Sequence, residues 1–377
     1  MALDPQAALT APTTPTAPTS PTEALEQARR LITRWGWNAT AYQILNPGIE
    51  RWFSPRHEAV IGYVTHGGYR VVAGSPVAPP EQLAAVIEAF EEETHRLGLF
   101  SCYFAADDRL AQLLEQRGPL DRILLGAQPV WDPATWPSIL EGKASLRAQL
   151  NRARNKGVVV SRWPRSKAAR HPELHRCLEE WLTTRGLPPL HFLVEPETLG
   201  RLYDRRIYVA EQGEGGRAEA VGFVVASPVP ARRGWLIEQF VRGHAAPNGT
   251  TELMLDAAWR DLHASGAEWV TLGLSPLSKR AQLEAPSQAF WLRFLLGWMR
   301  AHGRRFYNFD GLDAFKAKFQ PQRWEPIFAI TSERRVGVGT LWAITGAFAR
   351  MSPALLVVRA LSRAVAKEVQ WLGQRLR

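Results

Sequence analysis

Apolar and polar positions alternate twice around His66-Gly67-Gly68 in the stretch EAVIGYVTHGGYRVVAGSPVAPPEQLAAVIEAFEEETHRLG. Period-two alternation on both sides of a Gly-Gly pair predicts a β-hairpin. The Gly-Ser-Pro turn after it hands over to a helical period that begins near Pro80. LFSCYFAA then predicts a buried strand, DDRLAQLLEQRG a helix ending at Gly118, and DRILLGAQPVWDP another strand. A comparable order recurs further on. RIYVAEQGEGGRAEAVGFVVASPV reads as a hairpin, RRGWLIEQFVRG as the next strand, NGTTELMLDAAWRDLHASG as a helix, and AEWVTLGLSPLS as a strand and loop. Strands interleaved with helices in this way predict an α/β (α+β) fold made of two structural repeats with little sequence identity.

Between the repeats, residues 141–170 carry nine Lys/Arg and one Glu, and are expected to form a bridging helix and linker. Leu146, Leu150 and Ala153 fall on one helical face, with Arg147, Asn151 and Arg154 opposite. A polyanion could bind that basic face through Lys143, Arg147, Arg152, Arg154 and Lys156; a solvated helix face is the plainer alternative. Residues 308–330, NFDGLDAFKAKFQPQRWEPIFAI, combine an Asp310-Gly311 turn with a helix in which Phe315 and Phe319 stand one turn apart. They predict an element anchored by aromatics, with Lys316 and Lys318 projecting toward solvent or a phosphate, followed by the final strand IFAIT. From Val336 to Val358 only Arg350 is charged, and beyond it Arg359, Arg363, Lys367, Arg375 and Arg377 face a single Glu368. That pattern suits a helix lying in an anionic interface. A core-packing helix in which Leu341, Ile344, Phe348, Leu355 and Val358 complete the second domain's core, and a kinked membrane span, are the alternatives.

Composition narrows the picture. A chain of 377 residues is long enough for two cores. The expected division is a disordered Ala/Thr/Pro-rich tail over 1–22, a first domain over 23–140, the basic bridge over 141–170, a second domain over 171–332 and an amphipathic tail over 333–377. A net charge of +10 makes nucleic acid or an anionic membrane face a candidate partner. Cys102 and Cys177 form no framework or metal spacing, and a reducing cytosol fits them. His66, His191 and His244 also lack metal-ligand spacing, so no metal is expected.

AVIGYVTHGGYRVVAGSPV, GKASLRAQLNRARNKG, PNGTTELMLDAA, LGLSPLS and DGLDAFKAKFQPQRWEP, in this order and spacing, resemble the soluble catalytic region of the aminoacyl-phosphatidylglycerol synthases (lysylphosphatidylglycerol synthetases) and their stand-alone relatives. The resemblance runs from about Thr40 to Ile330. It implies two tandem acetyltransferase-like (GNAT) domains, the second holding the active site. It further implies transfer of an aminoacyl group from aminoacyl-tRNA to a lipid hydroxyl, most simply that of phosphatidylglycerol. The tRNA ester supplies the driving force, so no cofactor is implied. The protein would be cytoplasmic and peripherally associated with the inner face of the cell membrane. Both substrates are anionic and reward positive charge.

Such a transfer needs an activated hydroxyl, oxyanion stabilisation and a protonated leaving oxygen. The strand GWLIEQFVRG ends with Glu238, Gln239 and Arg242, where a GNAT sheet splays to admit its donor. The resemblance implies an Asp three residues before the Arg, where this chain has Gln239; strand alternation would send the neighbouring Glu238 to the opposite face. Arg242 is a candidate for neutralising an oxyanion or a phosphate. Glu252, on the helix after Pro247-Asn248-Gly249, is a candidate for the α-ammonium of the aminoacyl group, with Asn248 beside it. Ser275 is read as a substrate-positioning hydroxyl, since no Gly-x-Ser-x-Gly elbow accompanies it. Asp310, Lys316 and Lys318 complete the substrate set. VRGHAAPNGTTELM lacks the Gly-rich spacing that holds a CoA pyrophosphate. An acyl-CoA-dependent N-acyltransferase is therefore the weaker alternative, and a non-catalytic tRNA- or membrane-binding module is the third.

Overall fold

The computed structural model describes residues 18–118, 121–184, 191–213, 218–281, 309–333 and 336–349. The first helix, α1 (Pro21–Trp35), begins inside the last two residues of the stretch expected to be a disordered tail. Ser20 accepts a hydrogen bond from the Glu23 N–H at 3.2 Å, and Pro21 occupies the first turn, where it sacrifices no helical donor. The expected hairpin follows as β2 (Val60–His66) and β3 (Tyr69–Ala73), after an edge strand β1 (Glu50–Phe53). Gly67 and Gly68 both take positive φ, +58° and +85°, the backbone that a tight two-residue hairpin turn requires. Helix α2 (Leu83–Arg96) crosses over to β4 (Phe100–Ala106), which pairs parallel with β3. Helix α3 (Asp108–Glu115), capped by the Asp107 carboxylate, leads to the long β5 (Asp121–Trp131).

Helices α4 (Trp136–Gly142) and α5 (Ala144–Arg154) follow. The stretch expected to be only helix and linker then contains a strand, β6 (Val158–Trp163), paired antiparallel with β7 (Arg206–Gln212). Its VVV run was overshadowed by the surrounding basic residues. Helices α6 (Arg165–Ala168) and α7 (Pro172–Thr183) lie between them in sequence. Strands β8 (Glu219–Val229) and β9 (Gly234–Arg242) continue the meander, and helix α8 (Thr250–Ala264) crosses over to the short β10 (Trp269–Thr271), parallel to β9. A two-residue strand β11 (Ser275–Pro276), helix α9 (Phe309–Ala317), strand β12 (Arg323–Thr331) and helix α10 (Val338–Ala349) complete the described elements.

The described strands form one mixed sheet, in the order β1-β2-β3-β4-β12-β5-β10-β9-β8-β7-β6, with β11 also on β5. This is the α/β class expected. One placement departs from linear reading. β12, the last strand in sequence, runs antiparallel between β4 and β5 and so lies in the sheet of the first repeat. The second correction concerns α10. Ala343 and Ala347 are buried with Val71, Cys102 and Phe192, and Phe348 stacks edge-on against Phe104 and Phe192 at 5.1 and 5.3 Å. The described part of the tail therefore helps to close the core of the first repeat rather than the second; Leu355, Val358 and everything from 350 onward lie outside the described residues. Among the described residues no helix is long and apolar enough to cross a membrane.

Candidate active site at the splay of β9 and β10

Strands β9 and β10 pair over only three positions, Gly234–Leu236 with Trp269–Thr271. Beyond these the chain of β10 turns away to form β11 on β5, and β9 runs on to Arg242 without that neighbour. The opening is walled by α9. Phe315 faces Phe240 of β9 with ring centroids 6.0 Å apart and meets Phe319 edge-on at 5.2 Å. Phe319, fully buried, reaches Trp259 and Trp136, while its carbonyl accepts the Trp131 indole N–H at 2.8 Å. The aromatics of this segment thus do anchor it. Asp310-Gly311 is not a turn, however, but the first turn of α9.

The two lysines of α9 have different fates. Lys316 was expected to face solvent or a phosphate. It is instead buried, and its ammonium donates to the Gly273 and Leu274 carbonyls at 2.8 and 2.9 Å. Burial lowers its pKa to about 7, opposed by the field of Asp313 one turn earlier. Lys316 therefore ties α9 to the loop that leaves β10. Lys318 is half exposed, lies over the Phe315 ring at 4.4 Å, and forms an ion pair with Glu252 in the first turn of α8. Glu252 is buried, and its carboxylate meets a cation of this chain.

Gly249 caps α8 with φ +95°, and a Cβ there would lie 2.1 Å from the Gln149 carbonyl oxygen of α5. Only glycine lets the two helices approach this closely. Asn248 beside it is exposed. Ser275 is fully buried, and its hydroxyl has no hydrogen-bond partner among the described residues. Arg242 is exposed at the end of β9, also without a partner among the described residues, and alternation places it on the face of Phe240.

Glu238 and Gln239 are not brought to this cleft. Gln239 pairs with Val225 and Ile237 with Ala226, which leaves Glu238 as the extra residue of a β-bulge. The bulge cancels the alternation that would have separated the two side chains. Both turn toward the 195–205 segment. Glu238 takes hydrogen bonds from Arg205 Nε at 2.5 Å and Gln43 Nε2 at 2.8 Å. The Gln239 amide donates to the Pro196 carbonyl at 2.7 Å and accepts from the Thr198 hydroxyl at 2.6 Å. Phe240 and Arg242 point the other way. The ion pair with Arg205 offsets the cost of burying Glu238, so both groups serve the packing of the two repeats.

The basic bridge is only partly free. Arg147 donates to the Leu140 carbonyl at 2.6 Å and to that of Glu141, finishing α4. Arg154 pairs at 2.9 Å with Asp256, which also accepts from Trp136 Nε1 and Arg260. Arg152 and Lys156 are exposed and Lys143 half-exposed, with no partner among the described residues. Two further groups escaped sequence reasoning. Asp256 lies one turn after Glu252, and Asp313 accepts from Arg280 Nε at 2.6 Å. The spacing of Asp313 three residues before Lys316 was the available signal.

Comparison with known proteins matches this fold and these motifs. The family described as "Phosphatidylglycerol lysyltransferase, C-terminal" matches residues 13–331. The bifunctional lysylphosphatidylglycerol biosynthesis protein LysX of Mycolicibacterium gilvum is 25% identical over 306 residues, covering 77% of this chain and 26% of that protein. The phosphatidylglycerol lysyltransferase of Bacillus subtilis is 26% identical over 279 residues, covering 73% of this chain and 31% of that protein. The chain thus spans between a quarter and a third of these relatives' length. Among solved structures, the C-terminal domain of a putative lysylphosphatidylglycerol synthetase from Agrobacterium fabrum superposes with a TM-score of 0.70 at 22% identity, covering 87% of this chain and 98% of that one. The L-PGS structure from Bacillus licheniformis gives 0.67 at 20% identity, covering 89% and 95%. With a family match that runs through nearly all of both repeats, the chain belongs to the phosphatidylglycerol lysyltransferase C-terminal family.

Proposed function

We propose that the protein transfers an aminoacyl group from aminoacyl-tRNA to the hydroxyl of phosphatidylglycerol, working at the inner face of the membrane. The observation that carries this reading is the family match over residues 13–331. In an acetyltransferase-like site the N-terminus of the crossover helix would cradle the pyrophosphate. Here that end of α8 is approached by the α5 backbone at Gly249, and the space beside it holds the Glu252–Lys318 pair. This disfavours the acyl-CoA alternative.

In the proposed reaction the lipid hydroxyl attacks the aminoacyl carbonyl, the C–O bond to the tRNA ribose breaks, and the proton passes from the attacking to the leaving oxygen. Arg242, which has no partner among the described residues, would neutralise the anion that develops, and Glu252 would receive the α-ammonium as Lys318 shifts toward a phosphate. Ser275, whose hydroxyl has no partner among the described residues, would orient the ester. Lys316 holds the loop that presents Ser275. Arg152, Lys143 and Lys156 are the bridge residues available for tRNA phosphates, with Arg147 and Arg154 held by the protein itself. The test is incubation with labelled aminoacyl-tRNAs and phosphatidylglycerol liposomes. Label in the organic phase supports the reading; label that stays aqueous with every aminoacyl-tRNA rejects it.

A further inference from the structure

The first repeat carries an exposed apolar patch that the chemistry of the second does not use. Leu97 is 59% exposed, Phe100 43%, Val338 74% and Trp342 45%. Phe100, Val338 and Trp342 belong to one surface, and Leu97 lies three residues before Phe100 in the chain. Trp342 packs on the hairpin turn at Gly67, the Phe100 N–H donates to the Gly68 carbonyl, Phe100 stacks near Tyr69, and Tyr69 touches Gly339 beside Val338. Single exposed apolar residues need no explanation, but a connected group including Trp and Phe on a charged protein marks a contact surface.

Its position follows from strand polarity. The patch sits at the N-terminal ends of β3 and β4. β12 runs antiparallel to β4, β5 antiparallel to β12, and β10 antiparallel to β5, with β9 parallel to β10. The N-terminal ends of β3 and β4 therefore lie along the same edge of the sheet as the C-terminal end of β9, where the cleft opens at Arg242.

We propose that this patch, centred on Phe100, Leu97, Val338 and Trp342, is a membrane foot that inserts into the headgroup region of an anionic bilayer and presents the β9 cleft to the lipid. The inference rests on the transferase reading and adds the surface that meets the acceptor. Position on the cleft's edge and the chain's net charge of +10 select the occupant. Three carboxylates around the patch are held within the protein, Glu91 by Arg117 and Tyr103, Glu93 by Arg70 and Trp52, and Glu333 by Tyr69, while Glu92, one turn before Arg96, is exposed. Arg96, next to Leu97, is exposed and has no partner among the described residues. An aromatic and aliphatic patch, on the edge where the cleft opens and in a chain of net charge +10, suits an anionic interface.

The experiment compares the wild-type chain with L97D/V338D and with F100S, all at exposed positions, in sedimentation with vesicles of phosphatidylglycerol and phosphatidylcholine. Partitioning should fall at least tenfold in L97D/V338D, about 1.4 kcal/mol, and less in F100S, with thermal melting unchanged. Transfer to vesicle lipid should fall in step, while transfer to a short-chain water-soluble phosphatidylglycerol should not. That last arm separates this proposal from the reaction itself, since absence of transfer from the wild-type chain to either acceptor would reject the reaction and leave the vesicle result to stand or fall alone. Wild-type partitioning by folded L97D/V338D overturns the foot. So does a change from dimer to monomer on gel filtration with unchanged vesicle binding, which would make the patch a contact between two copies. A variant that melts earlier and releases residues 350–377 to protease would show that the chain's own tail covers the patch, and would also overturn it.

Discussion

The two repeats use one device, a parallel strand pair bridged by a helix, to opposite ends. In the first, β3 and β4 pair over five positions, from Tyr69 with Phe100 to Ala73 with Phe104, and the Gly74 N–H extends the ladder to the Phe104 carbonyl. β12 covers the other edge of β4, and Phe192 and Phe348 pack onto Phe104. In the second, the ladder between β9 and β10 stops after three pairs and the gap is walled by a helix carrying two lysines. A closed pair satisfies its backbone and makes a core; a splayed pair exposes strand ends to which a substrate can be brought. The family's chemistry is accordingly expected in the second repeat and lipid-facing support in the first.

The largest effect should come from opening the closed half. Phe192→Ala removes a buried ring that touches both Phe104 and Phe348, and is expected to cost about 3–5 kcal/mol. Chemical denaturation measures it, and a loss below 1 kcal/mol would mean that α10 does not seal this core. Next is the open half. Arg242→Ala should lower turnover about 100-fold without changing the denaturation midpoint, because Arg242 is exposed; unchanged turnover would move the oxyanion site elsewhere. Asn in place of Asp107, the buried cap of α3 at the C-terminal ends of β3 and β4, should destabilise the first repeat and leave kcat within about twofold, as one hydrogen bond outside the cleft is worth roughly 1 kcal/mol of stability.

A smaller and pH-dependent effect sharpens the contrast at Lys316. Its folded pKa, about 7, lies below the unfolded value near 10.5. Between these values the unfolded chain binds more protons, so the contribution of Lys316 to stability rises with pH across that window and is least favourable below pH 7. Lys316→Met loses the bonds to the Gly273 and Leu274 carbonyls at every pH and, having no ammonium, loses this titration as well. The wild type's advantage in melting temperature over the variant should therefore grow from pH 6.5 to pH 9, and a constant difference would show that Lys316 stays charged. The smallest effect is expected on the bridge. Arg152→Ala should reduce the salt dependence of tRNA binding by about one counterion, whereas Arg147→Ala should reduce it less, because Arg147 already donates to α4 carbonyls.

Local pattern was enough for most elements. The Gly67-Gly68 hairpin, α2 after Pro80, β4, α3 and β5 fall where alternation and capping residues put them, since such signals lie within a few residues of the backbone they shape. So does the aromatic seam of Phe315 and Phe319, because a one-turn spacing means one helix face in any context. The basic character of 141–170 was equally plain, although its VVV strand was hidden among the charges.

Long-range pairing decided the rest. Nothing in RWEPIFAIT says that β12 pairs with β4 and β5, more than 190 residues earlier. Nor does the tail's apolar spacing say which repeat it will cover; that depends on the vacancy left beside Val71 and Phe192. Glu238 and Gln239 look like alternate faces until β8 supplies one residue too few and forms the bulge. Lys316 and Lys318 read as equivalent solvent-facing cations, yet one meets the exposed carbonyls of the β10 loop and the other a carboxylate on α8. The sequence by itself determined the elements, the family and the residue types available for chemistry, because these rest on contacts between near neighbours and on motif order. Which of those residues reach the cleft was decided only by tertiary structure, because a side chain's charge and access are set by partners that arrive from distant segments.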